Sequence, residues 1–169
     1  MDKDNNAADW VYPHEILGHA EEFRKAALRL KDGVSVQSSI VMPSCVCAAL
    51  SIELYFKFLI FAKNRDLNEL KAYRHRIFDL YENIPADWQR EILDSISHTI
   101  SEKDLVQALE YFNDAFEIWR YVYEYNKITT STQLHLIADL LSVECKRINS
   151  DVLEQEYLTE HTCPDVPEK

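Results

Sequence analysis

Glycine is almost missing from this chain: Gly18 and Gly33 are the only two in 169 residues. Phosphate-cradling loops need several glycines, or a Gly-Lys-Ser/Thr ending at fixed spacing, so that backbone N–H groups can close on the ligand. Neither a dinucleotide fingerprint nor a Walker-type loop is therefore present. Cysteine is sparse, and Cys45, Cys47, Cys145 and Cys163 contain no C-x-x-C spacing. Two apart on a helix, Cys45 and Cys47 would diverge, which argues against a structural zinc. With no signal-peptide pattern, the four cysteines fit reduced cytosolic thiols, and a cytoplasmic location is expected. Positive charge is also short: 18 Lys and Arg face 29 Asp and Glu, giving a net charge of -11 and a pI near 4.9. Sequence-independent nucleic-acid affinity comes mainly from Lys and Arg displacing counterions, so any RNA contact would have to be local. Strand-length alternation, internal repeats and low-complexity blocks are absent as well.

What remains is apolar and helical. Hydrophobic residues make up 47% of the chain, enough for one core, and the length is too short for two ordinary domains. The run from Ile40 to Ala62 is almost continuously apolar and about long enough to span a bilayer as a helix. Glu53 and Lys57 lie in it, each costing about 2.5–3.5 kcal/mol at a bilayer centre, and Pro43 breaks its front. A central helix of a bundle is expected there instead, with no membrane segment.

Elsewhere apolar positions recur at helical steps. Ile16, Ala20, Phe23, Ala27 and Leu30 form one face of a helix from Pro13. Pro43 suits the first turn of the long apolar helix, which runs to about Lys63 and is followed by Asn64 and Asp66 as punctuation. HRIFDLYENIP gives a short helix ending before Pro85, and ADWQREILDSISH another, with Trp88, Ile92 and Ile96 on one side. A capping sequence at Ser101 leads into DLVQALEYFNDAFEIWRYVYEYN, where Leu105, Leu109, Phe112, Phe116, Trp119 and Tyr123 keep helical phase. A last helix carries Leu134, Ile137, Leu141, Cys145, Ile148 and Val152. These elements predict an all-α, up-and-down helical bundle of about four long helices plus two short ones. It should span residues 13–155, between an N-terminal arm (1–12) and a flexible acidic tail (156–169).

HEILGH resembles the zinc-protease helix, but His14 and His19 are five apart and point about 140° from each other at about 100° per residue. No Glu-x-x-His of the di-iron bundles occurs, so no metal and no cofactor are expected. His98, His135 and His161 have no nucleophile or carboxylate at a telling spacing and are read as surface residues. Arg74, His75 and Arg76, near Lys57, Lys63, Arg65 and Lys71, make the most basic region, read chiefly as a solvated rim. Glu53 and Arg120 stand out as charges on the two most apolar helices. Each has a partner at helical spacing, Lys57 for Glu53 and Glu117 or Glu124 for Arg120, yet little polar face surrounds either one.

At these residues the chain resembles the HEPN superfamily, helical-bundle domains of prokaryotic toxin and defence systems, some of which occur in eukaryotes. The resemblance rests on CAALSIELYFKFLI, HRIFDLYENIP and FNDAFEIWRYVYE in that order, and covers roughly residues 13–155. It implies a helical bundle, a homodimer and, in active members, metal-independent RNA cleavage by an arginine followed after four to six residues by a histidine. Arg120 matches the arginine. Tyr125, Asn126 and Lys127 occupy the positions where the histidine would fall. Asparagine does not titrate, so a general base worth about 10²–10⁴ in rate is lacking. A non-catalytic domain that binds a protein partner, an antitoxin or RNA in the cytoplasm is the expected function, with Glu53, Lys57, Arg74, His75, Arg76 and Arg120 as binding or interface residues. Two alternatives stay open: a divergent ribonuclease using Arg120 at a dimer interface, with Tyr123, Tyr125, Asn126 or His75 as further candidates for its chemistry, and a generic helical interaction module.

Overall fold

A computed structural model of the chain describes residues 12–32, 41–114 and 132–161, with side chains as far as residue 155. Among the described residues there are seven helices and no strand. They are α1 (Pro13–Asp32), α2 (Val41–Asn64), α3 (Leu67–Ala72), α4 (Ile77–Glu82), α5 (Ala86–Ile96), α6 (Glu102–Tyr111) and α7 (Thr132–His161). The all-α bundle expected from the periodicities is the fold observed.

The bundle is built around α2. Its most apolar stretch would meet the length and composition of a membrane span, but 72% of that stretch is buried inside the protein. Ile52, Tyr55, Phe56, Phe58, Leu59 and Ile60 are each at most 1% exposed and meet Leu80, Leu109, Leu134 and Ile137 from the surrounding helices. Each such side chain contributes about 1.5–3 kcal/mol through burial. Helices α1 and α7 lie against α2 and against each other. Ala27 of α1 meets Ser44, and Glu21 meets Tyr55, so α1 runs antiparallel to α2. Ser44 also meets His135, and Ala62 shares a groove with Ile148, so α7 runs parallel to α2.

Local chemistry sets several boundaries. Arg65 takes a left-handed φ of 57° and its N–H reaches the Phe61 carbonyl at 3.0 Å, stopping α2 without a glycine. Asp66 then caps α3, its carboxylate accepting from Asn68 N at 2.8 Å and Glu69 N at 3.4 Å. Ser101 caps α6 by accepting from Asp104 N at 3.1 Å, as its sequence predicts.

Four expectations are corrected. The helix starting near Ser101 does not run on through Phe112: α6 stops at Tyr111 and a turn covers 112–114. Within that turn the Asn113 side chain accepts from Phe78 N at 2.8 Å, satisfying a first-turn N–H of α4 for which Arg76 provides no side-chain cap. The α1 stripe holds at Ala20 and Ala27, which are buried, and at Ile16, which packs against the core, but it fails at Phe23, which is 37% exposed while Leu17 and Glu21 beside the stripe are buried. Helix α3 occupies a segment expected only to punctuate, and α7 continues past residue 155 to His161.

Candidate functional site

Glu53 lies on the second half of α2, where apolar neighbours occupy almost every other position, and its side chain is only 5% exposed. A carboxylate placed there must be partnered, since a lone buried charge is costly. Lys57 Nζ sits one turn further along α2, 2.6 Å from Oε1. His75 Nδ1 lies 3.1 Å from Oε1 and 3.2 Å from Oε2, so the ring proton on Nδ1 is shared between both oxygens. Lys57 is the partner that helical spacing anticipates. His75 is not, because it arrives from the α3–α4 turn, 22 residues away.

That turn is built to present its side chains outward. Tyr73 closes α3, Arg74 adopts a left-handed φ of 51°, and Arg76 N reaches the Tyr73 carbonyl at 3.3 Å. Left-handed backbone costs a side-chain-bearing residue roughly 1–2 kcal/mol, and the Glu53–His75 contact helps hold the turn against it. Arg74 is exposed, and Arg76 is 57% exposed with Nε 3.2 Å from Asp79 Oδ2 and 4.0 Å from Asp114 Oδ1. Glu53, Lys57 and His75 are thus brought together, with Arg74 and Arg76 flanking them. Arg120, Tyr125 and Asn126 lie outside the described residues.

A second polar cluster escaped the sequence reading. Glu21, 8% exposed, faces α2 and α7 from α1. Its Oε1 accepts from the Tyr55 hydroxyl at 2.5 Å and from the Ser142 hydroxyl, and its Oε2 meets Lys146 Nζ at 2.8 Å and Arg24 Nη2 at 3.3 Å. Arg24 also reaches Asp139 at 2.8 Å. Burial pushes the Glu21 carboxyl upward, but Lys146, Ser142, Tyr55 and Arg24 together outweigh it and hold the group at about 2. The Tyr55 hydroxyl is driven well above the ordinary tyrosine range, first by burial and then by the Glu21 carboxylate. The signal was present as polar positions at helical steps, Glu21 and Arg24 on one helix and Asp139, Ser142 and Lys146 on another. Only packing shows that the two sets face each other.

His135 is corrected from surface to core. It is 6% exposed, and its Nε2 lies 2.7 Å from Ser44 Oγ. Ser44 donates its hydroxyl proton to the Ala27 carbonyl at 2.8 Å, so His135 donates to Ser44 rather than taking its proton. The pair therefore ties α1, α2 and α7 together and is not arranged as a nucleophile with its base. His14, His19 and His98 are exposed, as expected; the nearest carboxylate to His19 is Glu22 at 3.3 Å.

An open groove of about 600 Å³ lies between the end of α2, α5 and α7. Ala62, Ile148 and Val152 line it with apolar surface, alongside Lys63, Arg65, Asp87, Trp88, Glu91, Asp151 and Gln155. It lies apart from the Glu53 cluster and shares none of its residues. No group of histidine, cysteine and carboxylate side chains suited to a metal occurs among the described residues. No protein-family model, curated protein or solved structure matches the chain.

Proposed function

We propose that this chain is a HEPN-like helical domain that acts by binding a protein partner, as a homodimer, rather than by cleaving RNA. The observation that carries the reading is the Glu53 cluster. Both oxygens of the carboxylate on the central helix are engaged within the fold, by Lys57 and His75. Glu53 thereby pins the α3–α4 turn to α2 and fixes Arg74, His75 and Arg76 as a firm polar face, the kind of preorganised surface on which little ordering entropy is lost when a partner docks. The sequence resemblance supports the same reading, since Arg120 is not followed by a histidine at the spacing that metal-free cleavage requires. A net charge of -11 favours protein over RNA as the partner. The setting that comes with the resemblance is a prokaryotic defence or toxin–antitoxin pair in the cytoplasm.

The test is a metal-free cleavage assay on structured RNA with wild type and Arg120→Ala side by side, with solution mass measured on the same samples. The expected result is no cleavage by either protein and a dimer weakened by the substitution. RNA cleavage that disappears in Arg120→Ala would overturn the reading and assign the chain to the divergent ribonucleases.

A further inference from the structure

We draw no further inference here: the strongest candidate, the open groove between the end of α2, α5 and α7, is locally charge-neutral, with Asp87, Glu91 and Asp151 already paired by Lys63 and Arg147, and nothing among the described residues shows what covers it.

Discussion

Replacing Glu21 by glutamine keeps the side chain's size and removes its charge at the centre of a polar contact shared by α1, α2 and α7. The wild-type carboxyl is held at about 2 against an ordinary 4.5. At about 1.4 kcal/mol per pH unit, that depression corresponds to roughly 3 kcal/mol of folding free energy, a contribution fully present above pH ~4.5 and lost as the pH falls toward ~2. A glutamine can still accept from Tyr55 and Ser142, but its amide would point N–H groups at the Lys146 and Arg24 donors that now meet Oε2. Glu21→Gln should therefore destabilise the protein by about 2–4 kcal/mol at pH 7, a fall of roughly 4–16 °C in melting temperature for a chain of this size. Urea unfolding followed by circular dichroism, repeated between pH 7 and pH 2, measures both quantities. The gap between wild type and variant should narrow by about 3 kcal/mol as the pH drops, because protonated Glu21 no longer gains from its cationic neighbours and the other carboxylates titrate alike in both proteins. A gap below about 0.5 kcal/mol at pH 7, or one that stays constant with pH, would refute the assignment of Glu21 as an ionised, stabilising group.

Other perturbations test separate parts of the fold. Ser44→Ala leaves the Ala27 carbonyl and His135 Nε2 without their shared partner and should cost about 1–3 kcal/mol in urea unfolding at pH 7; a neutral result would mean that the pair does not tie α1 to α7. Phe58→Ala, at a fully buried position, should cost about 3–5 kcal/mol by the same measurement, and a loss below 1 kcal/mol would be inconsistent with α2 at the centre of the bundle. Glu53→Ala removes the anchor of the α3–α4 turn and should cost about 1–3 kcal/mol, with amide exchange at residues 73–76 accelerating more than exchange elsewhere. Uniform acceleration across the chain would count against a local pin.

The predicted and observed structures agree where periodicity alone decides and diverge where a distant residue intervenes. The α2 segment could hardly be other than a central helix, because a stretch apolar on almost every side can bury itself only by being surrounded. The Lys57 half of the Glu53 cluster follows from helical spacing, while the His75 half depends on how far a turn folds back toward α2. The apolar rhythm of Leu105, Leu109 and Phe112 continues past the real end of α6. The interruption is associated with Asn113 capping another helix, a contact that no local pattern contains.

The amino-acid order by itself determined that the protein is helical, that its longest apolar segment lies inside and that its surface is acidic, since these follow from side-chain periodicity and summed charge. Tertiary structure alone decided which polar residues meet: His135 with Ser44, Glu21 with Tyr55, Ser142 and Lys146, and Lys63 with Trp88 and Asp87. A helix repeats its faces every 3.6 residues whatever surrounds it, whereas the rotation of one helix against another is set by the whole packed core. Small differences in that rotation turned Phe23 toward water and Glu21 toward the interior, and so placed the buried network on the face beside the one that hydrophobic spacing marks.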